Sequence, residues 1–243
     1  MMETGSARPK AGLVDRVGLR WFFRLLSSSI GQKFVMAITG LLLCGFLAAH
    51  LAGNLLLFLG AEWFNDYAHK LHAQWELLLV AEVGLLVLFL THIYLAFATA
   101  FGNSRAREEP YAVKRTKIPG RVIGANTWMF ASGAVVLGVL LLHLVDMRLG
   151  MSGLNLRGFK YEGEHFDKTL MVLSNPVSRG VYVIGAIVLG IHLSHGFSSA
   201  FQSLGLNHPK YMPLIKLVGR IFAVVIAVGF ASIALFVPEI WRP

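Results

Sequence analysis

Five of the nine histidines in this 243-residue chain, His50, His92, His143, His192 and His195, stand inside long apolar stretches that carry almost no charge. An ionisable side chain at membrane depth is costly, and where one is retained it usually does chemistry. An imidazole there can ligate a metal, carry a proton or hydrogen-bond a neighbouring helix. One isolated histidine would suit the last role. Four separate apolar stretches, each with at least one histidine, suit the first two better.

The stretches that must position them number five, at about 35–59, 77–101, 126–145, 176–204 and 214–237. Each reaches the roughly 20 apolar residues that a helix needs to cross ~30 Å of hydrocarbon. Composition agrees: 56% of the residues are hydrophobic and 14% charged, where soluble domains carry about a quarter charged. None of the runs alternates, and an open strand edge in lipid would leave backbone groups unpaired. The expected fold is therefore all-α, an integral membrane bundle of five transmembrane helices spanning 35–238. Residues 1–34 form an N-terminal arm and 239–243 a short tail. Asn175-Pro176 should open the fourth span, as a cap followed by a first-turn proline. No internal repeat or low-complexity segment is expected.

Fifteen of the 22 lysines and arginines fall on the N-terminal arm, the loop after the second span and the connection into the fifth. The positive-inside bias then puts the N-terminus in the cytoplasm and the C-terminus outside. The net charge of +9 fits contact with anionic lipid and needs no nucleic acid. The basic N-terminus reads as a cytoplasmic arm, with no signal-peptide cleavage pattern. Cys44 is the single cysteine, so a disulfide or a covalent haem attachment has no partner residue in the chain.

Depth sorts the histidines. At 1.5 Å per residue from the cytoplasmic helix ends, His92 lies ~14 Å and His192 ~18 Å deep, His50 ~22 Å and His143 ~26 Å. The pairs His92/His192 and His50/His143 thus occupy two levels along the membrane normal. Paired axial imidazoles suit b-type haem in electron transfer, because they leave no open coordination position. Zinc prefers four compact ligands in a polar shell. Gly53, Ala96, Gly185 and Gly196 lie near the ligand faces and leave room beside them for a flat macrocycle. His195, one turn from His192, is not separated from it by spacing. A proton-coupled transporter using histidines is the reading from another class; it calls for paired acids, broken helices or an inverted repeat.

Several segments, in this order, resemble a known family: GLLLCGFLAAHLAGNLLLFLGAEWFN, EVGLLVLFLTHIYLAF, LLLHLVDMR and SNPVSRGVYVIGAIVLGIHLSHGFSSAFQSLG. Together, over about 27–237, they are similar to the single-polypeptide, two-haem cytochrome b membrane anchor of succinate dehydrogenases and fumarate reductases. The resemblance implies two b haems held by His50, His92, His143 and His192, with His92/His192 inner and His50/His143 outer, and it favours His192 over His195. It also implies a bacterial cytoplasmic membrane and a flavoprotein and an iron–sulfur subunit docked on the cytoplasmic face. A higher oligomer of the complex is compatible with it. The chain would be the quinone-reactive subunit, without a dicarboxylate site or a catalytic residue for one, and menaquinone is the expected quinone. Some family members carry a glutamate two residues before the fourth-span ligand; here that position is Gly190. A cytochrome b of a hydrogenase or formate dehydrogenase is the nearest alternative, with four spans as its usual number.

A quinone needs an apolar cleft and a group that exchanges protons with its ring oxygens. Glu82, the one acid well inside a span, is the first candidate, near the outer pair, where it could instead simply pair with an arginine. His69, His72 and Glu76, on the connection before the second span, could line the same pocket or an ordinary amphipathic surface helix. Arg148 and Arg179 stand near the outer end, and Lys33, Ser27 to Ser29, Ser198, Ser199 and Gln202 near the inner, as partners for haem propionates.

Overall fold

The computed structural model describes residues 24, 27–105, 125–149 and 163–241, and they are almost entirely helical. Seven α-helices follow one another among them: α1 (Ser29–Asn54), α2 (Ala61–Ala73), α3 (Trp75–Arg105), α4 (Ala125–His143), α5 (His165–Ser174), α6 (Pro176–Ser203) and α7 (Met212–Ile240). Five of them, α1, α3, α4, α6 and α7, are long and apolar enough to cross a membrane. The chain is an all-α, multi-pass membrane protein. Most of the basic residues counted between the second and third spans, and most of the N-terminal arm, lie outside the described residues.

Local sequence accounts for the helix ends. Asn175 caps α6, its Oδ1 accepting from the amides of Val177 (2.9 Å) and Ser178 (3.2 Å), and Pro176 takes the first helical position. That cap-and-proline start is the one expected. The first span differs: its helix opens at Ser29, six residues before the apolar run, because the Ser28 hydroxyl accepts from the Gly31 amide at 3.0 Å. The third span also outlasts its apolar run, continuing past His143 as a single π-helical turn, Leu144–Arg148.

The spans pack unevenly. α6 and α7 make the most extensive contact, α1 lies against α3 and α6, and α4 lies against α6. Gly190 is the close point between α6 and α7: a Cβ there would stand 2.7 Å from Ala227 Cβ and 3.1 Å from the Ala223 carbonyl. Leu57, Ile226 and Val237 are the most deeply buried large side chains and belong to one core that α1, α6 and α7 share. By contrast α3 leaves Leu77, Val80, Val83, Leu86, Val87 and Leu90 more than half exposed, as a helix facing lipid tails does.

One end of the bundle is closed by the short helices. After α1 a 3-10 turn, Leu55–Leu59, leads into Gly60, whose φ of +98° is a conformation that side chains disfavour. Trp241, just after α7, donates its indole N–H to the Leu57 carbonyl (3.1 Å) and packs its ring edge-on against Phe166. The Phe166 amide in turn donates to Asn65 Oδ1 on α2 at 2.9 Å. This cap joins α2 and α5 to the ends of α1 and α7. It sits at the end of the bundle that carries His50 and His143.

Candidate histidine centres within the bundle

His50 near the end of α1 and His143 at the end of α4 reach the same level, where their ring centroids lie 5.8 Å apart with planes at 83°. Phe46, one turn before His50, stacks on it at 5.2 Å, and Phe230 of α7 stands 5.8 Å away on another side. Tyr182 of α6 lies 6.0 Å from His143. Two imidazoles binding one metal ion from opposite sides put their centroids roughly 6 Å apart, since each bond is ~2 Å and each ring adds ~1 Å. The observed separation fits that arrangement.

The second level is built differently. His92 of α3 places Nδ1 3.2 Å from the Thr39 hydroxyl of α1. His192 of α6 places Nδ1 3.1 Å from the Ser132 hydroxyl of α4. Each hydroxyl is followed by a glycine, and a Cβ on Gly40 or Gly133 would sit 3.3 Å from the Cε1 of the facing imidazole. Ser132, like Thr39, stands eleven residues before the histidine at the end of its own helix. Thr39 precedes His50 by eleven residues on one helix, so the two levels are ~16 Å apart. The structure brings His192, and not His195, to the Ser132–Gly133 step.

These hydroxyl–glycine steps escaped the sequence reading, and so did a repeat. TG-x4-G-x4-H in α1 (39–50) matches SG-x4-G-x4-H in α4 (132–143), and HIYLAFATAF (92–101) matches HLSHGFSSAF (192–201). The first two spans are thus echoed in the third and fourth. This corrects the expectation of no repeat; aligning the spans on their histidines reveals it, whereas a scan for a short period does not.

Polar groups gather near the outer level. Asp146, only 1% exposed in the π-helical turn, accepts from the Tyr182 hydroxyl at 3.0 Å. Asp146 follows His143 by three residues and lies just past the apolar run that ends at 145, carried there by the π-helical turn. Glu82 pairs with Arg148 at 3.1 Å, both partly exposed. Since Glu82 precedes His92 by ten residues, it lies ~15 Å along α3, at the level of His50 and His143. Arg179 pairs with Glu239 at 2.6 Å and donates to the Leu173 carbonyl. At the other end Gln202 turns to the Met212 sulfur.

His69 and His72 sit on α2, one turn apart, and make their contacts with α5 and the residue before it. His69 Nε2 is 3.0 Å from Glu164, and His72 stacks on His165 at 4.9 Å. Glu76 is exposed in the first turn of α3. Among the described residues no group of three or more His, Cys, Asp or Glu side chains is arranged to hold a metal ion.

Neither family models, nor curated proteins, nor solved structures yield a match to this chain.

The α2–α5 contact carries its own pH dependence. Burial, followed by the positive fields of His72, Lys168 and His69 against the opposing pull of Glu164, holds His165 below the ordinary histidine value. The folded chain then resists a proton that the unfolded chain takes up near pH ~6.5. The stabilisation is full above that pH and is lost as the pH falls through the lowered value of folded His165. Limited proteolysis between α2 and α5 should accelerate from pH 7 to pH 5 in the natural chain. In His165→Gln the same profile should be flatter.

Proposed function

We propose that this chain is a dihaem cytochrome b anchor of the succinate:quinone oxidoreductase kind. In that role it relays electrons between an iron–sulfur subunit and a membrane quinone, menaquinone being the quinone favoured. The observation that carries the reading is the placement of imidazoles from four separate spans at two levels ~16 Å apart. At the outer level, His50 and His143 stand at a separation suited to one metal ion. Bound b-type haem supplies a one-electron carrier that neither takes up oxygen nor needs an open coordination site.

The chain's own residues do the rest. His92 and His192 would hold the inner haem and His50 and His143 the outer, each through a ring nitrogen. Phe46 and Phe230 wall His50 with apolar surface and keep water from its ring. Glu82 is the favoured proton acceptor and donor for the quinone ring, and the 3.1 Å ion pair with Arg148 orients its carboxylate. Quinone reduction takes two electrons and two protons, and an acid at the outer level serves the protons from that side. His69, His72 and Glu76 stay as candidates for the mouth of that site. The fit of His69 and His72 to Glu164 and α5 favours a structural part for them.

The lysine and arginine majority argues for a cytoplasmic N-terminus, an external α2–α5 cap and a bacterial cytoplasmic membrane. A flavoprotein and an iron–sulfur protein would then dock at the inner end. Gly190 stands where some family members have a glutamate, and its contact with Ala223 and Ala227 leaves no room for one. A compensating proton path through that position is therefore not part of this proposal.

Isolating the tagged chain from its native membranes in mild detergent tests the assembly. Co-purification of a flavin-bearing subunit with succinate:quinone reductase activity is expected. A nickel- or molybdenum-bearing partner would replace this reading with the hydrogenase or formate dehydrogenase one.

A further inference from the structure

We propose that Thr39 and Ser132 are twin positioning residues that set the tautomer and ring orientation of His92 and His192; the proposal rests on the dihaem reading. Each hydroxyl has acceptors for its own hydrogen within its own helix. Thr39 Oγ1 lies 3.0 Å from the Val35 carbonyl and 3.1 Å from that of Met36, and Ser132 Oγ lies 3.1 Å from the Met129 carbonyl. A hydroxyl has one hydrogen, and a carbonyl can only accept. With that hydrogen directed to its own helix, the hydroxyl oxygen faces the imidazole with a lone pair. In that arrangement Nδ1 of His92 and of His192 carries the proton and donates.

A neutral imidazole protonated on Nδ1 keeps its lone pair on Nε2. That nitrogen is then the metal ligand, and its direction is fixed because Nδ1 is tethered on the far side of the ring. An N–H donated to an acceptor also makes a ligating imidazole more basic. The neighbouring glycines complete the clamp. A Cβ at Gly40 or Gly133 would approach Cε1 to 3.3 Å, closer than most side-chain contacts, so the ring edge rests on bare backbone.

Two features separate this device from ordinary hydroxyl back-bonding in a membrane helix. It occurs twice with nearly the same dimensions, 3.2 and 3.1 Å, at matching positions of the α1/α3 and α4/α6 repeats. It also belongs to the inner level: Nδ1 of His50 faces the Asn54 amide nitrogen at 3.4 Å instead of a hydroxyl. The inner pair is thus the more tightly preset of the two, with ligands more basic than an untethered imidazole.

The test uses the whole complex purified from its membranes, carrying Thr39→Val or Ser132→Ala, with Thr39→Ser and Ser132→Thr as the conservative variants. Redox titration of the visible bands and the low-spin ferric resonance are the readouts. Both hydroxyl-less variants should retain two haems, with the inner midpoint potential moved upward, since a less basic ligand favours ferrous iron. The inner resonance should shift, the outer haem should keep both its values, and the conservative variants should restore the natural ones. Loss of the inner haem alone in Thr39→Val or Ser132→Ala, with the haem present in Thr39→Ser and Ser132→Thr, supports the proposal equally. An unchanged inner potential and resonance in both hydroxyl-less variants overturns it, as does an equal change at both haems. A natural complex without haem instead removes the functional reading beneath it.

Discussion

Replacing His143 with leucine should remove one haem of two and leave the other with its own spectrum and potential. Leucine fills most of the volume and cannot ligate iron, so the outer level loses half its ligand pair while α4 stays helical. His143 stands 5.8 Å from His50, the imidazole it faces at that level. The inner pair is anchored ~16 Å away by hydroxyls on α1 and α4. The reduced b-type absorbance should fall by roughly half, since each bis-histidine haem contributes a comparable band. His50→Leu should give the same result. Loss of the inner haem's spectrum in place of the outer one would show that the histidines pair otherwise.

The second large effect belongs to Gly190. Substituting glutamate should prevent the chain from accumulating in the membrane. The new Cβ alone would press on Ala227 Cβ and on the Ala223 carbonyl, where α6 and α7 approach closely. Overpacking a helix contact costs ~1–3 kcal/mol, and a carboxyl in hydrocarbon adds about 2.5–3.5 kcal/mol. Gly190→Ala carries only the first of these costs and should accumulate at a reduced level. Immunodetection in membranes, with a fluorescence-monitored size profile in detergent, reads the difference. Normal amounts of a monodisperse Gly190→Glu chain would mean that α6 and α7 can separate locally without loss.

The spans were legible because hydrocarbon thickness acts on residue type directly, and so was the start of α6, where Asn175 and Pro176 announce a cap. The start of α1 was not legible from hydropathy. Ser28 extends that helix through the polar Gln32 and Lys33, which an apolar window excludes. The two levels of histidines could be ordered by counting residues along each span. Their surroundings could not. Thr39 and Ser132 look like any hydroxyl bonded back to its own helix until a second helix brings an imidazole beside them. Asp146 was hidden for a similar reason: a π-helical turn carries α4 onward past the apolar run and leaves the carboxylate buried beside Tyr182. Glu82 was picked out as an acid within a span, but its partner Arg148 is 66 positions away and only the folded bundle joins them.

Two haem irons per polypeptide is the claim on which the functional account stands. Haem content, measured as the pyridine complex against quantitative amino-acid analysis of the purified chain, tests it with the fewest intervening assumptions. A ratio close to two, with both haems extractable by acidified solvent, is the expected value, because four histidines at two levels supply two axial pairs. A colourless chain, or a ratio near one that persists when haem supply is raised, would contradict it.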